Sequence, residues 1–392
     1  MYKSVYLKRG KEESIRRFHP WIFSGAIDHV DDQVEEGEIV RVLTLYGDFL
    51  AVGHYQIGTI TVRILSFEDC KIDDKFWKTR IQTAFELRLA IGVVGESNNA
   101  YRLIHGEGDN LPGLIIDCYG HTAVMQAHSV GMHISRHTIC NALMMVMKDI
   151  IFNVYYKSDT TLPHKAALGQ ENVFLVGGDE RNTAIENGLN FQVDWLKGQK
   201  TGFFVDQRDN RSLLEKFAKG RSVLNMFCYT GGFSVYAMRG GAKLVHSVDS
   251  SAKAIELTNK NISLNFPNDD RHKAFCEDAF KYLDRNDDKY DLIILDPPAF
   301  AKHRAALHNA LKGYIRLNVK GFEKIRHGSI LFTFSCSQVV TKDNFRNAVF
   351  TAAAQAGRNV RILYQLHQPA DHPINIYHPE GEYLKGLVLY VE

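Results

Sequence analysis

The order of apolar and polar positions gives the chain three successive rhythms. From Val5 to about Ser66, short runs (SVYLKR, WIFSGAI, GEIVRVLT, FLAVGHYQ and ITVRILS) are separated by breaks such as EEGE and LYGD. Runs of this length bounded by charged and glycine-containing turns predict strands, and five of them predict a small all-β module of barrel or sandwich type. The stretch DDKFWKTRIQTAFELRLAIG, with apolar residues three and four apart, predicts a linking helix. Between about Tyr101 and Asp194, the strand-like runs GLIIDCYG, TAVMQAHS, IFNVYYKS and GLNFQVDW accompany one helical run, HISRHTICNALMMVMKD. That mixture predicts an α+β unit.

Beyond Arg208, helical and apolar runs alternate: NRSLLEKFA, SVLNMF, GGFSVYAMRG, AKLVHSVD, SAKAIELTNKNISLN, YDLIILD, YIRLNVKGFEKI, GSILFTFS, FRNAVFTAAAQA, VRILYQL and GLVLYV. Strands that are apolar throughout are buried on both faces, so the expected fold is α/β, a doubly wound and mainly parallel sheet. The expected boundaries are 1–70 for the all-β domain, 71–195 for the central α+β domain and 196–392 for the doubly wound domain. Ligands of such sheets sit outside the carboxyl ends of the strands, so the residues just past each strand carry the chemical information.

Composition adds mainly exclusions. With 392 residues, 45% of them apolar, the chain has material for more than one core. It contains no apolar run long enough to span a membrane, and no apolar stretch follows the basic opening MYKSVYLKRGKEESIRR, so a cytoplasmic location is expected. Six scattered cysteines without a CxxC pair exclude a disulfide framework and a zinc site as expectations, and leave thiol chemistry. A net charge of +2 excludes a uniformly basic surface. The first seventeen residues nevertheless set Lys3, Lys8, Arg9, Lys11, Arg16 and Arg17 against Glu12 and Glu13, which is either a phosphate-facing patch or a solvated strand edge.

The strand SVLNMF runs into Phe227, Cys228, Tyr229, Thr230, Gly231 and Gly232 and then into an apolar helix. Paired glycines at a helix N-terminus let backbone approach a ligand closely, although two glycines are also a common tight turn. About twenty residues on, the next strand ends in Asp249 and Ser250, where a carboxylate can accept both hydroxyls of a ribose. The combination points to a nucleoside cofactor. Glu277, Asp278 and Ala279 open a further helix, so Asp278 either caps it or meets an adenine amino group. The strand YDLIILD ends in Asp296, Pro297 and Pro298, a stiff exit that fixes the Asp296 carboxylate at the sheet edge. The strand GSILFTF ends in Ser335, Cys336 and Ser337, which places a thiol beside that carboxylate, within reach of one flat substrate.

The stretches GQKTGFFVDQRDNR (198–211), VLNMFCYTGGFSVYA (223–237), LDPPAFAK (295–302) and FSCS (334–337) resemble the RlmI-type family of 23S rRNA cytosine-C5 methyltransferases. HPWIFSGAI (19–27) resembles the start of that family's PUA domain, YRLIHGEGDNLPGLIIDCYG (101–120) its middle domain, and HPINIYHPEGEYLKGLVLYV (372–391) its closing hairpin. The resemblance implies a PUA domain, a central α+β domain and a class I Rossmann-like methyltransferase sheet that uses S-adenosyl-L-methionine. It implies ribosomal RNA of the large subunit as partner, no membrane, and leaves monomer or homodimer open.

Carried over motif by motif, cofactor contacts fall on Gln207, Arg208, Phe227, Cys228, Tyr229, Thr230, Gly231, Asp249, Ser250, Asp278, Ala279, Asp296 and Pro297. Cys336 matches the nucleophile that adds to carbon 6 of cytosine, and Asp296 is expected to hydrogen-bond the base edge. Asp296 is followed by Pro-Pro-Ala where the wider pattern has Pro-Cys, so the base that removes the carbon-5 proton is left unassigned. Two alternatives stay open: methylation of an exocyclic amine, with DPPAF as a variant clamp, and a noncatalytic RNA-binding scaffold.

Overall fold

The computed structural model describes residues 2–163, 172–285, 290–301 and 303–392. Lys302, the last residue of the LDPPAFAK motif, lies outside the described residues. The chain forms two compact units. The first comprises Met1–Gly188, Val193–Val205 and Ala370–Gly381, and the second Leu189–Gln192, Asp206–Pro369 and Glu382–Glu392. Among the described residues no helix is long and apolar enough to cross a membrane.

The first unit contains a six-stranded sheet built from Lys3–Leu7, Trp21–Phe23, Ile27–Val30, Ile39–Leu43, Phe49–Tyr55 and Ile60–Ser66. Its alternate residues Val5, Leu7, Val40, Val42 and Val62 are fully buried, as period-two patterning requires. Trp21–Phe23 is an edge strand, which leaves Phe23 44% exposed, and the Trp21 indole N–H donates to Glu107 at 2.8 Å. Core burial is the more natural expectation from the sequence for both rings, yet on this edge strand Trp21 is only half-buried and Phe23 is exposed.

A five-stranded sheet follows, including Ala100–His105, Leu114–Tyr119 and Thr122–Ala127, against which the helices Asp74–Ala90 and Arg136–Val146 pack. Asp73 caps the first helix by accepting from the Phe76 amide at 3.0 Å. Near its other end Arg88 is fully buried, and its guanidinium is satisfied by Asp109 at 2.5 and 2.8 Å and by the carbonyls of Arg102 and Asp371. Such a charge is tolerated inside a protein only with that many partners.

The second unit is organised by a seven-stranded sheet. Its strands lie in the order His272–Cys276, Leu244–Asp249, Ser222–Met226, Tyr290–Leu295, Ile325–Ser335, Lys385–Val391 and Val360–His367. The first five are mutually parallel and the last two antiparallel to their neighbours. Chain order reverses on either side of Ser222–Met226, which creates the switch point where such sheets bind ligands. Leu224, Met226, Ile293, Leu295 and Leu331 are buried between the sheet and helices such as Leu307–Lys324 and Lys342–Gln355.

His54, in the strand Phe49–Tyr55, is 2% exposed, and neither ring nitrogen has a hydrogen-bond partner among the described residues. Burial, reinforced by the Arg63 charge, pulls the imidazole down to about 4. In the unfolded chain the ring titrates near 6.5, so its neutral burial is fully stabilising above that pH. As pH falls from about 6.5 toward 4 the first unit is expected to lose about 1 kcal/mol per pH unit from this group alone. All three tryptophans, Trp21, Trp77 and Trp195, belong to that unit, so urea unfolding followed by tryptophan fluorescence reads it selectively. His54→Gln is expected to flatten the fall.

Candidate active site at the carboxyl ends of the parallel strands

The strand Ser222–Met226 gives way to a turn whose backbone is left-handed at Phe227 (φ 57°), Tyr229 (φ 47°) and Gly231 (φ 78°). Two of these are bulky residues, for which the conformation costs about 1–2 kcal/mol each. Strain of that size persists because the surroundings hold it. The Cys228 amide donates to the Val248 carbonyl at 3.0 Å, the Thr258 hydroxyl donates to the Tyr229 carbonyl at 2.9 Å, and the Asn261 amide donates to the Thr230 carbonyl at 2.8 Å. At Gly231 a Cβ would lie 2.7 Å from a Thr258 methyl, so only glycine fits both the φ and the space. The helix Gly232–Arg239 starts at once and aims its first N–H groups along the same edge.

Asp249, at the end of the neighbouring strand, accepts the Tyr229 amide on one oxygen at 3.0 Å and the Ser251 amide on the other at 2.9 Å. Two backbone donors lock the carboxylate in place. Each oxygen keeps a second lone pair, which is what the two hydroxyls of a ribose require. Ser250 is exposed beside it. Asp278 uses one oxygen to accept the amides of Phe280 (3.0 Å) and Lys281 (3.1 Å), so the capping role is realised, and its carboxylate is exposed on the same rim. Ala279 is buried behind it. These features fit a nucleoside: a close-approach turn, a locked acid and a second acid one strand further on.

On the other side of the turn, Leu295 is paired with both Met226 and Thr333, so Asp296 follows one strand directly and Cys336 follows the next. Gln207 is buried and donates its side-chain amide to Asp296 at 3.0 Å, while its carbonyl accepts from Asn210 at 2.6 Å. This orients one carboxylate oxygen of Asp296. Arg208 opens the helix Arg208–Ala218, is 5% exposed and lies 3.4 Å from Asp209. Pro297 is buried and Cys336 half-buried.

Tyr314, on the helix Leu307–Lys324, was not foreseen from the sequence. Its hydroxyl accepts from Ser335 at 2.9 Å, and burial pushes the phenol up to about 12, with the charges of Cys336 and Asp296 adding to the shift. A tyrosine inside an amphipathic helix reads as core, and nothing in its spacing marks it as a neighbour of the thiol and the acid. Cys228 behaves differently from Cys336. It is 6% exposed with its sulfur 3.7 Å from the Thr258 hydroxyl, and burial, reinforced by Asp249, pushes its thiol well up. It is a packed residue of the turn.

Residues 163–373 match a family model described as S-adenosylmethionine-dependent methyltransferase, and residues 5–67 match one described as a PUA-like domain. The chain is 41% identical over 398 residues to ribosomal RNA large subunit methyltransferase I of Tolumonas auensis, with 99% of each covered. It is 39% identical over 397 residues to the protein of that name in Alteromonas mediterranea, covering 100% of this chain and 99% of the other. In fold it is similar to a Streptococcus mutans protein described as a SAM-dependent methyltransferase, with a TM-score of 0.84, 23% identity and 99% of both chains covered. A crystal structure of a methyltransferase complexed with SAH gives the same TM-score and coverage.

The cofactor is S-adenosyl-L-methionine. Asp249→Ala removes the acceptor of two amides that hold the strained turn. S-adenosylhomocysteine affinity, read by calorimetry, is expected to fall about tenfold to a hundredfold. With its fold built on the doubly wound sheet and relatives matched from end to end, the chain belongs to the ribosomal RNA large subunit methyltransferase I family.

Proposed function

We propose that the protein methylates carbon 5 of a cytosine in 23S ribosomal RNA, with Cys336 as a transient covalent nucleophile and Asp296 as the group that engages the base edge. The observation that carries this reading is the register of two adjacent parallel strands, which end in Asp296 and Cys336 beside the Phe227–Gly231 turn. Carbon 5 of cytosine is too poor a nucleophile to be methylated unaided. Addition of the Cys336 thiolate to carbon 6 moves the ring electrons onto carbon 5. When bound, S-adenosylmethionine supplies the electrophilic methyl group for a base activated in this way. Loss of the carbon-5 proton then lets the sulfur leave, restoring both the aromatic ring and the cysteine.

Asp296 accepts from the exocyclic amino group or, when protonated, donates to N3, and so offsets the charge that develops as the thiolate adds. Gln207 keeps this carboxylate facing the crevice by binding its other oxygen. The cofactor is held by Phe227 to Gly231, by Asp249 and Ser250, and at the rim by Asp278 and Ala279, with Arg208 and Pro297 completing the edge. The division of labour follows the three proposed regions: 1–70 docks RNA, 71–195 connects, and 196–392 carries the chemistry. The exposed ring of Phe23, with His19 6.2 Å away, supports the docking role, since unpaired bases stack on such surfaces.

Phe300 argues against the amine-clamp alternative. Its ring lies 4.7 Å from that of Tyr314 and packs on the core, so it is committed to holding the Asp-Pro-Pro exit. The test is Cys336→Ala. Turnover on 23S rRNA is expected to fall by about a thousandfold or more while S-adenosylhomocysteine still binds. Wild-type protein is expected to form a stable adduct with 5-fluorocytosine-substituted RNA, visible by mass spectrometry. An active Cys336→Ala enzyme would sink the covalent mechanism.

A further inference from the structure

We propose that Lys385 is a positioning residue that holds the Cys336 thiol in its reactive thiolate form; this rests on the nucleophilic role read for Cys336 above. Lys385 opens the strand Lys385–Val391 and lies directly opposite Ser335, the residue before Cys336, in the antiparallel pair those strands form. It stands out in the run KGLVLYV as a cation in an otherwise apolar strand, 5% exposed. Its ammonium donates to the carbonyls of Ser337 at 2.5 Å and Val340 at 2.7 Å, so it sits within the turn that starts at Cys336.

Two carbonyl oxygens satisfy donors without neutralising the charge. Among the described residues Lys385 makes no ion pair, and the nearby Glu382 is paired with Lys342 at 2.5 Å. A buried cation without a counter-charge is costly, and it relieves that cost by favouring an anion beside it. Desolvation pulls the amine down to about 8, while the Cys336 charge, first among the opposing influences, and the Glu382 charge favour its protonated form. The interaction is reciprocal: what the thiolate contributes to keeping Lys385 protonated, the ammonium contributes to keeping Cys336 ionised. Among the described residues, the other groups acting at this turn are Glu382 and Lys342, whose charges oppose one another, Asp296, whose charge opposes a thiolate, and Tyr314, which burial keeps neutral. Ionisation involves no redox partner. The proton leaves the half-exposed sulfur for solvent, and the electron pair stays on sulfur as the nucleophile.

The experiment measures iodoacetamide alkylation of each cysteine in the full-length protein by peptide mass spectrometry from pH 6 to 10. In the wild type, the Cys336 midpoint is expected below the free-thiol value of about 8.5, with the exposed Cys276 as internal reference. Lys385→Gln keeps an amide donor for the turn but removes the charge. Alkylation of Cys336 at neutral pH is then expected to slow about tenfold, one unit of midpoint, while Lys385→Arg stays near wild type. Methylation by Lys385→Gln is expected to fall at pH 7 and recover toward pH 9 with unchanged S-adenosylhomocysteine affinity. A wild-type midpoint at or above the free-thiol value overturns the proposal whether or not the variants fold. So does an unshifted Cys336 profile in a Lys385→Gln protein that unfolds at the wild-type temperature. Retained methylation by Cys336→Ala would instead remove the nucleophile reading, leaving the thiol titration to be judged separately.

Discussion

Parallel pairing of the strands Leu244–Asp249, Ser222–Met226, Tyr290–Leu295 and Ile325–Ser335 is the constraint on which everything else in the second unit depends. Because these strands run the same way, the residues at their carboxyl ends emerge along one edge, and the register decides which of them are neighbours. Asp249, the Phe227–Gly231 turn, Asp296 and Cys336 come from positions spread over more than a hundred residues of chain, yet stand side by side because four apolar strands are buried between helices. A slip of one residue in any of these strands would turn its side chains to the opposite face and scatter the set.

On that edge the fold gives up local stability for geometry. The turn after Ser222–Met226 holds two large residues in left-handed conformations, and the restraint comes from Thr258, Asn261 and Asp249, all outside the turn. Glycine at position 231 is required twice over, by its φ and by the Thr258 methyl. Strain that is over-determined by its surroundings holds the turn in one conformation, so a ligand bound there would cost it little conformational entropy. The same logic of compensation applies in the first unit, where Arg88 is buried only because Asp109 and two carbonyls meet it.

Much of this was legible in the residues. The all-β opening, the helix Asp74–Ala90 and the alternation beyond Arg208 reflect apolar periodicity, and the acids and the thiol stand out because each occupies the carboxyl end of an apolar strand. Three kinds of feature were not legible. The pairing of strands Ile325–Ser335 and Lys385–Val391 joins residues about fifty positions apart, so Lys385 beside the cysteine turn carries no local signal except a lone cation in an apolar run. Tyr314 is hidden because a buried hydroxyl and a core ring share one spacing. The exposure of Phe23 is hidden because period two tells which face a residue takes, and only the sheet order tells that its strand is at the edge.

If Asp296 and Cys336 act on one base, a single crevice at the strand ends must receive both the cofactor and one pyrimidine. A crystal structure of the protein with S-adenosylhomocysteine and a cytidine-containing RNA fragment decides this. The cofactor sulfur and the Cys336 sulfur are expected on opposite sides of one extruded cytosine, with its amino edge toward Asp296. A cytosine bound elsewhere, or a Cys336 sulfur turned away from the base, would contradict it.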